Sequence, residues 1–325
     1  DALGKYSDKV HHVLTRHEQG ATHMADGYAR SSGKVGVAMA TSGPGAANMV
    51  TGLATAMMDS IPIVCITGQV PRPAIGSDAF QEMDISGAVI PVTKHSYLVM
   101  EIENLARTIK EAFAIARSGR PGPVLVDIPK DLQAEEFDFI YPEEPILLPG
   151  ANLVTSDIDS NSLEQAASLI AESKRPVILA GHGILLSGAS SEVIELSEKG
   201  NIPLSWTLLG SGAVPASHHL NMGMMGMHGE FAANNAIQKA DLLIACGMRF
   251  DDRVTGNTNT YSLESKKIHI EIDPSEINKN VPVDVALVGD LKSILTKLIP
   301  LLKEGQKSSW TDKIEDWRKE SQSRD

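Results

Sequence analysis

Seven runs of consecutive apolar residues, each followed by a turn and a stretch with helical spacing, constrain the fold of this chain more than any other feature. Strands that are apolar on both faces are typical of parallel sheets covered by helices on both sides. The runs are VGVAMATS (35–42), IPIVCITG (61–68), GPVLVDIP (122–129), PVILAGHG (176–183), DLLIACGM (241–248), KIHIEID (267–273) and VALVGD (285–290). We therefore predict an α/β fold with two successive doubly wound parallel-sheet domains.

The pattern breaks once, between residues 131 and 173, where the chain contains no lysine or arginine. This region includes YPEEPILLPG and TSDIDSNS, and its proline, serine and acidic residues are typical of a linker. We predict a first domain over residues 1–140, a linker over residues 141–160 and a second domain over residues 161–325.

The two ends of the chain both have helical patterns. ALGKYSDKVHHVLT, residues 2–15, is the first predicted element, although a domain of this kind normally opens with a strand. At the other end, charges at helical spacing around Trp310 and Trp317 predict a terminal helix. We therefore expect that the first strand of the first domain and a further domain after residue 325 belong to a longer parent protein.

Charge and cysteine content exclude several classes of function. The 325 residues carry a net charge of −12, which argues against capture of nucleic acid or of an anionic membrane. No apolar run reaches the roughly 18 residues of a membrane span, and the N-terminus lacks the features of a signal peptide. Cys65 and Cys246 lie in apolar runs, as buried and reduced thiols do. Small-molecule chemistry or contact with other proteins is left, and we expect a cytoplasmic protein.

Two polar motifs in the first half are ambiguous on their own. In TSGPGAAN, Gly43-Pro44-Gly45 predicts a sharp turn between a strand and a helix, where backbone can approach a ligand. An ordinary turn with Asn48 as a helix cap explains the same residues. Glu18, in RHEQGATHMADGYAR, follows an amphipathic segment and precedes a helix of small residues, where a carboxylate is usually solvated.

Five motifs follow one another in the first half: RHEQGATHMADGYAR, GKVGVAMATSGPGAANMVTGLATAMMDSIPIVCITGQVP, GSDAFQEMD, VTKHSYLV and SGRPGPVLVDIPKD. Together they closely resemble the pyrimidine-binding domain of thiamine diphosphate enzymes, and specifically the acetolactate synthase catalytic subunit. The resemblance implies that Glu18 hydrogen-bonds N1′ of the cofactor's aminopyrimidine and promotes its imino tautomer. That role predicts a dry pocket and a raised pKa for Glu18. Further contacts to thiamine diphosphate are implied for Gly43, Pro44, Asn48 and Gln81, with Gln81 also assigned to catalysis.

The same resemblance places Pro71 and Phe80 in the substrate channel. Phe80 offers an apolar wall and Gln81 a neutral hydrogen-bond partner, although ordinary loop packing explains both residues equally well. The chain departs from the family after Pro71, because Arg72 is followed by Pro73 where two basic residues are usual. This departure leaves inhibitor sensitivity and the shape of the channel open.

Strand ends in the second half carry side chains suited to a nucleotide. AGHG (180–183) is not a full GxGxxG motif, but glycines, arginines and acids also follow the other predicted strands, in CGMRFDDRVTG, IEIDPSEIN and VGD. In an open parallel sheet these strand ends meet at one crevice. Arginines there suit a pyrophosphate, and carboxylates suit ribose or ribityl hydroxyls.

The second half resembles the central domain of the acetolactate synthase family, which binds FAD. The resemblance implies contacts to FAD from Gly181, His182, Gly183, Thr207, Leu208, Met227, His228, Gly247, Arg249, Asp251, Arg253, Val254, Glu271, Ile272 and Asp290. The arginine that reaches the flavin from the linker of the family has no counterpart here. We predict no metal site in this chain, because the spacing of His218, His219 and His228 does not suit one and methionines of the NMGMMGMHGE run are typical of adaptable packing.

The resemblance also implies what the parent protein does. It decarboxylates pyruvate on thiamine diphosphate and condenses the product with pyruvate or 2-ketobutyrate. Mg²⁺ is expected in a third domain, whose GDG signature this chain lacks, so we expect this chain alone to be inactive. A homodimer or dimer of dimers is expected, with a small regulatory subunit as a further partner. The alternatives are a pyruvate oxidase, a sulfoacetaldehyde acetyltransferase and a non-catalytic nucleotide-binding module.

Overall fold

The computed structural model describes residues 2–146, 158–305 and 308–322. The chain divides into two compact units, Asp1–Asn152 and Leu153–Asp325. Each unit contains one sheet in which every strand pair is parallel, as the apolar runs predict. Most of the predicted linker, residues 147–157, lies outside the described residues.

The first unit has a four-stranded sheet in the order β1-β2-β4-β3. Its strands are β1 Gly36–Ala40, β2 Ile63–Gln69, β3 His95–Leu98 and β4 Val124–Pro129. Its helices are α1 Ala2–Lys5, α2 Glu18–Ser32, α3 Pro44–Asn48, α4 Val50–Asp59, α5 Ile85–Ala88 and α6 Ile102–Arg117. Successive residues of β2 contribute to different cores, because Cys65 packs with residues of α2 and α4 and Val64 packs with residues of α6. The sheet is thus covered on both faces.

The second unit has a six-stranded sheet in the order β10-β9-β8-β5-β6-β7. Its strands are β5 Pro176–Ala180, β6 Leu204–Trp206, β7 Asn221–Met224, β8 Leu242–Cys246, β9 Lys266–Glu271 and β10 Val285–Val288. Its helices are α7 Ser160–Glu172, α8 Gly183–Ser187, α9 Ser190–Gly200, α10 Phe231–Lys239, α11 Asp252–Thr255, α12 Leu291–Leu298 and α13 Ser308–Gln322. The chain runs outward from β5 to β7 and then returns to β8 on the other side of β5. The switch point of a doubly wound sheet therefore lies between β5 and β8.

Three strands and one helix differ from the predictions. The strands β3, β6 and β7 are short and only partly apolar, so they lack the run of apolar residues by which the other seven were predicted. The helix predicted over residues 2–15 is wrong beyond Lys5. Val10, Val13 and Leu14 are exposed, and a short helix without a surface to pack on is marginal in water.

Two predictions, the terminal helix and the buried free cysteines, are confirmed. The terminal helix forms as α13, where the buried Trp310 donates a hydrogen bond from Nε1 to the carbonyl of Pro176 at 3.1 Å. Cys65 and Cys246 are free and buried. Among the described residues, no helix is both long and apolar enough to span a membrane.

Candidate functional site

Glu18 is the first residue of α2, and its carboxylate faces the end of α3. The imidazole of His17 caps α2 by accepting a hydrogen bond at Nδ1 from the backbone of Gln19. The amide of Asn48, the last residue of α3, donates a hydrogen bond to the Glu18 carboxylate at 3.1 Å. Two residues assigned to one cofactor, 30 positions apart in sequence, are therefore in direct contact.

The Gly43-Pro44-Gly45 turn brings a third predicted residue, Gln81, to the same place. Gly43 has a φ of 62°, and a Cβ atom built on it would lie 2.6 Å from the carbonyl oxygen of Gln81. A Cβ atom on Gly45 would lie 3.4 Å from Oε1 of Glu18. Pro44 opens α3, where its fixed φ is already helical. The turn thus joins Glu18, Asn48 and Gln81 at the carboxyl end of β1.

The predicted dry pocket and raised pKa of Glu18 are wrong for this chain. Glu18 is only half-buried, and the hydrogen bond from Asn48 is the main reason why the pKa of its carboxyl lies below the ordinary value. A donor to the charged form stabilises that form, and the weak desolvation here does not offset it. Raising this pKa would require a further surface that covers the carboxyl.

Phe80 and Gln81 lie on a loop with unusual backbone geometry. Gln81 and Asp78 have φ values of 63° and 57°, in the region that favours glycine. Glu82 accepts hydrogen bonds from the backbone of Gly76 and Ala79, and these bonds hold the pKa of its carboxyl below the ordinary value. The loop leaves Phe80 89% exposed, so packing within this unit does not explain the residue.

Pro71 is exposed, and the guanidinium of the next residue is engaged elsewhere. Nε of Arg72 donates to Asp131 at 2.7 Å, and Nη1 donates to the carbonyl of Met100 at 2.9 Å. Arg72 also forms an ion pair with Glu135. The single basic residue after Pro71 therefore ties three loops together.

Three predicted glycines of the second unit lock two strand ends together at the switch point. The backbone of Gly183 donates to the carbonyl of Gly247 at 2.9 Å, and that of Gly181 donates to Cys246 at 3.0 Å. A Cβ atom on Gly181 would lie 2.2 Å from the carbonyl oxygen of Gly247. Gly247 has a φ of 58°, and its Cβ atom would lie 2.7 Å from Cα of Gly183. These positions need glycine for packing, whether or not a ligand binds.

The predicted polar acceptors of this unit bond to nearby backbone. Asp251 caps α11 by accepting from the backbone of Arg253 and Val254, and Asp290 caps α12 through Ser293. Thr207 caps the turn that follows β6, and its own backbone donates to Ala180 at 2.9 Å. Glu271 is 7% exposed and accepts from the backbone of Ile272 and Asp273. These oxygens shape the strand ends.

The other predicted residues of this unit are exposed or half-buried. Arg249 is half-buried and has no hydrogen bond or ion pair to any part of the chain that the structure describes. The backbone of Met227 donates to Arg253 at 2.9 Å, which joins the methionine-rich loop to α11. The exposed members are Leu208, Met227, His228 and Arg253, and the half-buried ones include His182, Val254 and Ile272. Cations beside a glycine-lined switch point fit the pyrophosphate of a dinucleotide.

A buried network near the first site was not predicted. Asp127, in β4, accepts hydrogen bonds from Thr67 at 2.7 Å and from Gln69 at 2.9 Å, and all three side chains are buried. A signal was present in the sequence, since Asp127 is the one charged residue in the apolar run GPVLVDIP. A carboxylate inside a buried strand needs hydrogen-bonding partners.

No group of three or more histidine, cysteine or acidic side chains suited to a metal ion occurs within residues 2–146, 158–305 and 308–322. His218 instead lies 3.2 Å from a carboxylate oxygen of Glu198 and stacks at an angle against His219.

Comparisons with known proteins agree with this division into two units. Residues 1–88 match the N-terminal thiamine pyrophosphate (TPP) binding domain of thiamine pyrophosphate enzymes, and residues 163–298 match their central domain. Thiamine pyrophosphate is another name for thiamine diphosphate.

The chain is also similar to longer proteins that are named acetolactate synthases. The probable acetolactate synthase large subunit of Methanocaldococcus jannaschii is 49% identical over 324 residues, which cover 98% of this chain and 54% of that protein. The acetolactate synthase of Mycobacterium leprae is 52% identical over 92% of this chain and 47% of its own length. The acetolactate synthase large subunit of Corynebacterium glutamicum is 49% identical over 96% of this chain and 49% of its own length. The chain thus spans about half the length of the curated relatives it matches.

Proposed function

Because this chain belongs to the thiamine pyrophosphate enzymes, with the N-terminal and central domains of that family, we propose that it is part of an acetolactate synthase. The whole protein would decarboxylate pyruvate and condense it with pyruvate or 2-ketobutyrate, giving 2-acetolactate or 2-aceto-2-hydroxybutyrate for branched-chain amino acid synthesis. The observation that carries this proposal is the contact of Glu18 with Asn48 beside the Gly43-Pro44-Gly45 turn.

In this proposal the cofactor supplies a nucleophilic carbon and an electron sink for decarboxylation of a 2-keto acid. Glu18 shares a proton with the ring nitrogen of the aminopyrimidine, and Asn48 orients the carboxyl for that contact. The lack of a side chain at Gly45 leaves Oε1 of Glu18 open on one side, as a ring that approaches it requires. Gln81 offers a neutral amide, and Phe80 and Pro71 offer apolar surface to the substrate.

A second subunit completes this site in our proposal. A proton shared with Glu18 is retained only if water is excluded and the pKa rises, and the half-buried carboxyl needs a cover for both. A homodimer or dimer of dimers would supply that cover. Because the relatives are about twice as long, we place the diphosphate and its Mg²⁺ in a part of the whole protein outside the two matched domains. We also propose a small regulatory subunit, in accord with relatives named large subunits. A cytoplasmic location is a further part of the proposal.

Replacement of Glu18 tests the catalytic part of the proposal. In the whole protein, Glu18→Gln should lower acetolactate formation about 10²- to 10⁴-fold, the range for loss of a general acid or base. Glu103→Gln, an exposed carboxylate in the first turn of α6, is the matched control and should change the rate little. Equal rates for Glu18→Gln and the control would contradict the proposal, and product analysis would distinguish acetolactate from acetyl phosphate.

We propose FAD as the ligand of the second unit, held at the switch point with Arg249 and Arg253 near its pyrophosphate. The purified 325-residue chain should then be yellow or become so on addition of FAD, with close to one flavin per chain. Arg249→Ala should weaken flavin binding, whereas Lys303→Ala, an exposed cation after α12, should not. A colourless chain that FAD does not reconstitute would favour a non-catalytic nucleotide-binding module.

A further inference from the structure

One amide closes the base of the loop that carries Phe80 and Gln81. Residues 70–84 connect β2 to α5, and Gln69 precedes them at the end of β2. Oε1 of Gln69 accepts a hydrogen bond from the backbone of Val70 at 2.9 Å. Nε2 of the same side chain donates to the carbonyl of Met83 at 2.7 Å. Gln69 therefore links the first residue of the loop to one of its last.

The buried carboxylate of Asp127 determines which way this amide faces. Nε2 of Gln69 donates to Oδ2 of Asp127 at 2.9 Å, while the hydroxyl of Thr67 donates to Oδ1 at 2.7 Å. Asp127 and Thr67 are each 1% exposed, and Gln69 is 7% exposed. An ionised carboxylate only accepts hydrogen bonds. If the amide of Gln69 were flipped, its oxygen would face the carboxylate of Asp127 and the carbonyl oxygen of Met83, and neither contact would be a hydrogen bond.

A carboxylate at this position is costly to bury, which calls for an explanation. Its hydrogen-bond partners among the described residues, Thr67 and Gln69, are both neutral, and burial raises the pKa of Asp127 to about 6. The neighbours Val126 and Ile128 belong to the core beneath α6, and the structure gives no packing reason for a charge in this strand. A network that is satisfied throughout specifies one arrangement of the groups around it.

Part of this loop has a backbone conformation that needs support from its surroundings. Asp78 and Gln81 both have positive φ values, which cost free energy and persist only where the surroundings hold them. Gln81 is also placed so that its carbonyl approaches Gly43 closely. Glu82 holds Gly76 and Ala79 within the loop, whereas Gln69 ties the two ends of the loop together.

We propose that Asp127 is a positioning residue that, through Gln69, holds the loop of residues 70–84 so that Gln81 lies against Gly43 and Phe80 projects from the unit. The role in catalysis rests on the proposed function, because only thiamine chemistry at Glu18 gives Phe80 and Gln81 a substrate to meet. The role in loop order does not rest on it and can be measured without cofactor.

A spin label at position 80 of the 325-residue chain measures that order. Phe80→Cys introduces one exposed thiol, whereas Cys65 and Cys246 are fully buried and burial raises the pKa of both thiols to about 12, so they resist labelling. In this background, Asp127→Ala should increase the mobile fraction of the label about fivefold, as expected for loss of a buried hydrogen bond. Asp127→Asn should keep the loop ordered, because its oxygen accepts from Gln69 and its amide donates to Thr67.

The control is Asp26→Ala, which removes another buried carboxylate of the same unit, paired with Arg30 on α2. It should leave the label ordered although it also destabilises the unit. If Asp127→Ala does not fold, Gln69→Met is a second variant. It removes the same link but leaves the buried strand β4 unchanged, and it should increase the mobility of the label equally.

An unchanged spectrum in Asp127→Ala or Gln69→Met would overturn the proposal, as would equal mobility in the Asp26 control. Failure of the proposed function would instead show as full activity of Glu18→Gln in the whole protein, with the loop result intact.

Discussion

Both units present glycines and acids at the carboxyl ends of parallel strands, but they use them differently. In the first unit the predicted side chains contact one another, as Glu18 and Asn48 do beside the Gly43 turn. In the second unit the predicted acids cap helices and turns, and the predicted glycines pack backbone against backbone. Similar patterns in sequence thus support direct side-chain contact in one unit and the shape of a crevice in the other.

The largest expected effect comes from the glycine lock of the second unit. Gly247→Ala puts a Cβ atom against Gly183 at a positive φ, so it should lower the free energy of unfolding by roughly 2–4 kcal/mol. Gly188→Ala is the matched control, since its φ is 63° but nothing lies within 4 Å of the added atom, and it should cost about 1 kcal/mol. Tryptophan fluorescence during urea unfolding measures both, because all three tryptophans lie in this unit. Equal losses of unfolding free energy in the two variants would contradict the close packing of Gly247 against Gly183.

Titration of Asp127 should give the first unit a pH dependence of its own. Its folded-state pKa of about 6 exceeds the ordinary value of 3.8, so the folded protein binds this proton more tightly than the unfolded chain. The resulting stability is fully present below pH 3.8 and is lost as the pH rises through about 6. Asp127→Asn lacks this dependence. As the pH rises from 3.5 to 8, its free energy of unfolding should therefore increase by about 2–3 kcal/mol relative to that of the parent chain.

Urea unfolding followed by circular dichroism at several pH values measures the Asp127 effect. The control is Asp131→Asn, which removes an acid from the surface ion pair with Arg72. Its free energy of unfolding relative to that of the parent chain should not increase as the pH rises. A parallel pH profile for Asp127→Asn and the parent chain would show that Asp127 does not titrate in this range.

The smallest effect is expected for the cap of α11. Asp251→Ala should lower the free energy of unfolding by about 1 kcal/mol, because two backbone N–H groups lose their acceptor. Asp251→Asn keeps an acceptor and should retain most of that stability, and Asp252→Ala, at an exposed position, should change it by less than about 0.5 kcal/mol. Loss of flavin binding in Asp251→Asn at full stability would show that Asp251 contacts a ligand in addition to its role as a cap.

Prediction from sequence succeeded where the signal was local. Seven of the strands coincide with apolar runs, because burial on both faces requires apolar residues throughout. The strand β3 escaped prediction because its residues, HSYL, are partly exposed. The helix predicted over residues 2–15 was wrong beyond Lys5 for a different reason. Periodicity does not show whether a surface is available for the helix to pack on.

Site residues were predictable only in part. The motif series indicated that Glu18, Asn48 and Gln81 belong together, but not that the Glu18 carboxyl would be open enough for its pKa to fall. The network of Thr67, Gln69 and Asp127 was visible only as one acid in an apolar run. Its partners come from positions 58 and 60 residues away, and no local pattern specifies them.

The sequence by itself determined the layers of this protein, because the hydrophobic effect acts on each apolar run separately and hides it between helices. Tertiary structure decided which polar atoms meet. The contact of Asn48 with Glu18 and the closure of the loop by Gln69 depend on strand register and on turns with positive φ. Hydrogen bonds are directional and short, so a change of register or turn would separate groups that the same sequence brings together here.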